Sequence, residues 1–336
     1  MTTIADLFSQ PDLIDYTLNR QYPTMLGDEL FEPVKVNSLT IDVLKRQNRT
    51  PVIASVAAFD AEAEIGSRSA GKSVEELALI KRKFQIKERD LYAMLNPRTP
   101  AEATYLKNTV YNDFDVLNQG VLARVEKMAM DVLATGKTTL VDENGKLSSN
   151  VDYKVPEEHQ EALTGANTWD NADVDIIKDI TDWCDKMDIT PTRALTSRKV
   201  YRQITRSAKV LEAVFGTSTR ALGQAEFDQF MQAQGLPVIR TYDQKYKDAA
   251  GKSKRYFPEN RIVLMNDDPL GNKVFGPTPE ELAQFNGAAQ INAVGNVYDM
   301  IYTETHDPIG TWEKASAVAL PAFAAVDEVF QAQVLA

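Results

Sequence analysis

The residues whose types and spacing could do chemistry are Gly66-Ser67-Arg68-Ser69-Ala70-Gly71-Lys72-Ser73, which fit the pattern of a phosphate-cradling P-loop. Such a loop offers backbone N–H groups and the Lys72 ammonium to nucleotide phosphates, with the Ser73 hydroxyl on magnesium. It must leave a buried strand of Val, Ile and Leu. The residues leading in are instead Asp60-Ala61-Glu62-Ala63-Glu64-Ile65, so three carboxylates stand where the anion would arrive. Downstream, Ser73-Val74-Glu75-Glu76 reads as a capping box for a short helical turn. Arg261 to Asp267 could imitate a magnesium-holding strand, but no βαβ alternation connects it to the loop. A nucleotide hydrolase using Gly66–Ser73 is therefore the weaker alternative.

No other constellation points to catalysis. G-x-S-x-G and H-E-x-x-H are absent, and no spacing singles out a carboxylate pair. Cys184 is alone, which rules out an intramolecular disulfide and a thiolate metal cluster. His159 and His306 are not spaced as a ligand pair. Neither enzymatic activity, cofactor nor metal is expected. The net charge of −11 argues against a broad nucleic-acid-binding surface, although a protein that lies beside DNA without gripping it is allowed. Lys81-Arg82-Lys83 and Lys252-Ser253-Lys254-Arg255 read as patches that meet acidic patches, within the chain or on a partner. The longest apolar stretch, Ala315 to Val326, is interrupted by Ser316 and Pro321 and is too short for a bilayer. Nothing at the start reads as a secretory signal, so a cytosol-like compartment is expected.

The elements that would position any such residues divide into regions of different character. Residues 1–35 contain Pro11, Pro23 and Pro33 among short apolar runs, which predicts an extended arm with no long regular element. Residues 36–92 read as two strand-like stretches around the glycine-containing tip, the return running from Leu79 to Asp90. A two-stranded excursion of this length is marginal without something to cover it. Thr99-Pro100-Ala101-Glu102 supplies an N-cap, a first-turn proline and a capping glutamate. Leu106, Val110, Phe114, Leu117, Val121, Val125, Met128 and Val132 then follow at steps of three and four, one apolar stripe on one uninterrupted helix. Gly136 stops it, which makes the helix about 50 Å long.

Beyond the helix, Thr138–Val141 and Val151–Val155 flank an Asn144-Gly145 turn and predict a hairpin. Val174, Ile177, Ile180, Trp183, Cys184 and Met187 form the buried face of an acidic helix. A helix from Ser197 to about Val214, another over Gln224–Gln234, and strands at Val238–Tyr242 and Ile262–Met265 complete an α+β reading. Thr278-Pro279-Glu280-Glu281 repeats the capping device, and the tail is expected as short apolar runs broken at Pro321.

This order of regions resembles the tailed-phage capsid fold (Hong Kong 97-type). Local sequence is similar to the phage major capsid protein E family, to which the lambda head protein belongs. The likeness rests on Arg20 to Phe31, Gly66-Ser67-Arg68, Trp169-Asp170, Phe257 to Leu264, Phe275 to Glu281, and Asp307 through Trp312 to Phe330. The resemblance implies an N-terminal arm (N-arm) at 1–35, an extended E-loop at 36–92, and a peripheral domain at 93–168 with the long spine helix and hairpin. It implies an axial domain at 169–300 and a return to the peripheral domain at 301–336. It further implies inter-subunit contacts from Gly66, Ser67, Arg68, Gly71 and Lys72 at the loop tip and from Tyr22, Pro23 and Phe31 on the arm. The implied partner is the chain itself, in pentamers and hexamers of an icosahedral shell in the virion, assembled in the host cytoplasm. The shell would enclose double-stranded DNA without sequence-specific binding, with a scaffold protein, a portal and a decoration protein as partners and no membrane. An encapsulin-like compartment of the same fold is the alternative within this class.

Overall fold

The computed structural model describes residues 7–44, 72–141, 147–284, 295–304 and 310–336. Its longest element is the helix Pro100–Thr135, 36 residues with the bounds that the sequence predicts. Its start is set by Thr99, whose Oγ1 accepts from the Glu102 N–H at 3.1 Å, while the Glu102 carboxylate accepts from the Arg98 N–H at 2.8 Å. Its end is set by Gly136 at φ +68, where a side chain would meet Val155. The last carbonyls, which no helical N–H can reach, accept from Arg261 (Ala134 O, 3.0 Å) and Gln331 (Leu133 O, 2.8 Å).

The chain divides into two compact units. The first takes Met1–Ile41, Val74–Met128 and Asn272–Ala322; the second takes Asp42–Ser73, Ala129–Gly271 and Phe323–Ala336.

In the first unit the elements are α1 (Gln10–Asn19), α2 (Leu26–Leu30), β1 (Phe31–Lys35), β4 (Ala78–Ile86), α3 (Glu88–Leu95), most of the long helix α4 (Pro100–Thr135), β13 (Gly271–Gly276), α9 (Pro279–Gln284), β14 (Tyr298–Glu304) and β15 (Gly310–Phe323). Its sheet runs β1-β13-β15-β14, with β4 also on β15. β15 is central: Thr311 to Ala319 pair with Ile86 to Ala78, and Gly310 to Ser316 pair with Glu304 to Tyr298. It is buried along nearly its whole length, and only from Ala317 onward does it read as a continuous apolar run. Strands β2 (Thr40–Leu44) and β3 (Lys72–Glu76) pair with each other as a separate ribbon.

The second unit holds the hairpin of β5 (Lys137–Val141) and β6 (Leu147–Asp152), and the sheet β7-β16-β12-β8-β9. These strands are β7 (Gln160–Ala162), β8 (Arg193–Thr196), β9 (Val238–Thr241), β12 (Arg261–Met265) and β16 (Phe330–Gln333). Helices α5 (Ile176–Asp185), α6 (Arg198–Arg206), α7 (Ala208–Phe215) and α8 (Gln224–Ala233) belong to the same unit, as does the small hairpin of β10 (Lys245–Lys247) and β11 (Ser253–Arg255). β8 and β9 are parallel, and the crossover between them carries α6, α7 and α8.

Five expectations are corrected. The N-terminal region does contain a ten-residue helix, α1, because Pro11 stands in the first turn, where its missing N–H costs nothing, and Ser9 caps it. Ser73–Glu76 is strand rather than helical turn, paired as part of β3 with β2. The returning stretch is not an unsupported limb: Ala78–Ile86 is hydrogen-bonded to β15, and helix α3 takes over at Glu88. The helix from Ser197 breaks at Ser207, which is extended at ψ 126 and divides α6 from α7. The tail runs as one fourteen-residue strand through Pro321, which lies beyond the last pairings of β15 with β4 and β14.

Candidate assembly surfaces

The helix stripe forms as its spacing predicts. Val110, Phe114, Leu117, Val121, Val125, Met128 and Val132 are buried, and Leu106 near the start is half-buried. Beside the stripe, Asp115, Asn118 and Glu126 are buried as well. A polar residue is not removed from water without partners, and here the N-terminal segment supplies them.

Arg20 grips Asp115 with two N–H groups, at 3.1 Å from Nε and 2.5 Å from Nη2. The Tyr16 and Tyr22 hydroxyls donate to the same carboxylate at 2.9 and 3.2 Å. Asn118 donates to Tyr22 at 2.9 Å and to Asp299 on β14 at 2.7 Å, and Thr17 donates to Asp299 at 2.7 Å. Burial and then the Asp115 hydrogen bond push the Tyr16 hydroxyl up to about 12. Burial pushes the Asp299 carboxyl up to about 7, against the hydrogen bonds from Asn118 and Thr17. Further along, the Gly27 N–H donates to Glu126 at 3.0 Å, and Lys273 bridges Glu126 and Asp28 at 2.7 Å each. Gly27 is required there, because a Cβ would overlap the Glu126 carboxylate.

Two more carboxylates sit in this unit in opposite states. Neither oxygen of Glu313 has a hydrogen-bond partner among the described residues, and burial with the Asp113 charge pushes it up to about 8. Burial also raises Glu280, but hydrogen bonds from Lys314, its own backbone N–H and Lys81 outweigh it and hold the group at about 2. Asp115, Glu126, Glu280 and Asp299 fasten one piece of chain to another; their hydrogen bonds run between segments of the unit, not toward an open cleft.

The residues expected at inter-subunit contacts fall in different places. Pro23 is exposed, and Tyr22 is half-buried with its hydroxyl in the Asp115 group. Phe31 is fully buried in its own unit and has no ring surface to offer outward. Gly66, Ser67, Arg68 and Gly71 lie outside the described residues, and Lys72 opens β3. A strand, not a helix N-terminus, therefore follows the glycines of the P-loop-like stretch. The basic clusters meet acids inside the molecule: Lys81 pairs with Glu280 at 3.1 Å, Lys254 with Asp248 at 3.0 Å, and Arg255 with Asp243 and Glu259. Lys83 instead lies 3.9 Å over the Trp312 ring. Sequence reasoning missed Asp115, Asn118, Glu126 and Asp299. The signal was thin: three polar residues flanking the stripe of a helix too long to be exposed on one side throughout.

The sequence model of the family described as phage major capsid protein E matches residues 11–334. Among solved structures, the chain is similar to a prophage capsid protein from E. coli CFT073, at 16% identity over 99% of both chains with a TM-score of 0.64. It is also similar to a phage-related protein from Bordetella bronchiseptica RB50, at 15% identity over 96% of both chains with a TM-score of 0.53. These likenesses show the fold, that of tailed-phage capsid proteins. No curated protein sequence matches the chain.

Proposed function

Because this chain belongs to the phage major capsid protein E family, we propose that copies of it close into pentamers and hexamers of an icosahedral shell around double-stranded DNA. The family match over residues 11–334 carries this reading. The chain acts as a wall and not as an enzyme. It is assembled in the host cytoplasm, with a scaffold protein, a portal and a decoration protein as partners. Residues 1–35 serve as N-arm, 36–92 as E-loop, 93–168 and 301–336 as peripheral domain and 169–300 as axial domain. Gly66, Ser67, Arg68, Gly71 and Lys72 at the loop tip reach a neighbouring copy, as do Tyr22 and the exposed Pro23.

Electron microscopy of particles from the expressed full-length chain, with analysis of their contents, tests the proposal. Closed shells that hold nucleic acid or are empty are expected. Shells filled with a single enzyme give the chain to the encapsulin-like alternative, and monomers alone overturn the shell reading. Lys72→Ala leaves nucleotide binding at its undetectable starting level, whereas a measurable loss revives the hydrolase.

A further inference from the structure

We propose that the sheet β7-β16-β12-β8-β9 carries two oppositely charged edges that pair between successive copies of this chain, the β9 edge of one copy against the β7 edge of the next. The inference rests on the shell reading and names the surfaces that close its rings.

At the β9 edge, α6 packs against β9 and opens a groove of 420 Å³ toward the β10–β11 hairpin. Six cations line it: Arg198, Lys199, Arg202, Arg206, Lys245 and Arg255. The lone carboxylate, Asp243, is already shared by Arg198 and Arg255. Arg198, Arg202 and Arg206 stand four residues apart, so they form one stripe on the helix. Lys199, Arg202 and Arg206 are exposed and pair with no carboxylate among the described residues. A concentration of positive charge of this kind stands out in a chain of net charge −11.

The β7 edge has the opposite character. Glu157 and Glu158 are exposed in the turn that leads into β7. Glu161 on β7 accepts from Trp183 and Lys186, which brings the end of α5 to this edge with the exposed Asp182 and Asp185. The two lysines here, Lys178 and Lys186, are already taken by Asp182 and Glu161.

Within one chain the two edges cannot neutralise each other. They stand at opposite ends of the strand order, which at about 4.8 Å per strand puts them roughly 19 Å apart. That is more than twice the screening length of about 8 Å at physiological salt. Identical copies arranged head to tail bring the edge of one onto the other edge of the next, and a rotation that closes gives a ring. Packaged DNA is the competing occupant. The overall charge disfavours it, because a polyanion approaching this chain is repelled at long range.

Charge reversal on each edge tests the pairing. Arg202→Glu with Arg206→Glu, and separately Glu157→Lys with Glu158→Lys, change exposed side chains only, so thermal melts should match that of the unmodified chain. Each pair alone is expected to lower the assembled fraction about tenfold or more at low salt. The chain that carries all four substitutions is expected to recover to within about twofold, since its edges are again complementary. If neither pair affects assembly while the unmodified chain forms particles, the pairing is wrong and the shell reading stands. If the arginine pair assembles normally but loses retention of double-stranded DNA, the groove belongs to phosphate. An unmodified chain that forms neither rings nor particles overturns both readings.

Discussion

The two units are held together by different physics. In the second, Trp169 stacks on Trp183 with ring centroids 5.6 Å apart, and Trp183 stacks on Phe330 at 5.4 Å, inside an apolar cluster that spans four helices and the sheet. Its two indole N–H groups reach Asp179 and Glu161 at 2.9 Å, so little is left unpaired. In the first, the N-terminal segment is fastened to the long helix and to β14 through the buried carboxylates Asp115, Glu126 and Asp299. An apolar core is largely indifferent to pH and forgiving of shape. A buried charged network fixes one arrangement and carries the cost of desolvation, which changes with protonation.

Breaking either side should show which force is at work. The largest effect is expected from Phe114→Asp, which removes a fully buried ring and places an unpaired carboxyl on the stripe, at a cost comparable with a total stability of about 5–15 kcal/mol. No folded, soluble protein should be recovered; a folded variant would mean that the stripe is not a core face. Trp183→Ala in the second unit should cost about 3–5 kcal/mol, equally at every pH between 5 and 9. Denaturant melts followed by circular dichroism measure it.

Lys273→Met in the first unit strands the Glu126 carboxylate and should cost about 3–5 kcal/mol. Adding Glu126→Gln should return most of that loss, a coupling that a double-mutant cycle reads directly.

The pH dependence separates the units further. Asp299 is raised from 3.8 to about 7 and Glu313 from 4.5 to about 8. The folded form of the first unit thus holds these protons more tightly than the unfolded chain does. Its stabilising contribution is fully present below about pH 4 and is lost as pH rises through about 7 and 8. Going from pH 5 to pH 9 should therefore weaken the first unit by on the order of 7 kcal/mol. Glu280, held at about 2, keeps its contribution across that window, since it is lost only as pH falls below the ordinary 4.5. Glu313→Gln should raise stability at pH 9 by about 2 kcal/mol and reduce the slope; an unchanged slope would remove Glu313 from the account. Arg20→Ala is the smallest change. Its side chain is 49% exposed, so the melting temperature should barely move, and the expected change is faster amide exchange confined to Gln10–Asn19.

How much of this was legible in the sequence follows the same division. The long helix was readable to the residue because its period persists over 36 positions and both ends carry caps. β9 and β12 were readable from local pattern, and so was the β5–β6 hairpin in kind, although its second strand lies at Leu147–Asp152 and not at Val151–Val155. What local pattern could not show is which segments cover one another. Asp115, Asn118 and Glu126 look solvated until the chain from Tyr16 to Gly27 is laid over them. Lys81, Lys83 and Gln85 look like an exposed excursion until their strand is hydrogen-bonded to β15. Pro11 and Pro321 were read as breaks, although one stands where a helix begins and the other beyond the doubly paired part of a strand. The cationic groove is a further case: Arg198, Arg202 and Arg206 fall on the exposed face of a helix whose Val200 and Ile204 are buried, but only the fold brings Lys245 and Arg255 beside them.

The most direct measurement is a reconstruction, by electron cryo-microscopy, of the particles that the full-length chain forms. The account predicts rings of five and six copies closed into a shell, with the proposed loop-tip contacts Gly66, Ser67, Arg68, Gly71 and Lys72 of each copy made to its neighbour. A particle in which that tip folds back on its own chain, or a solution of monomers at every salt concentration, would contradict it.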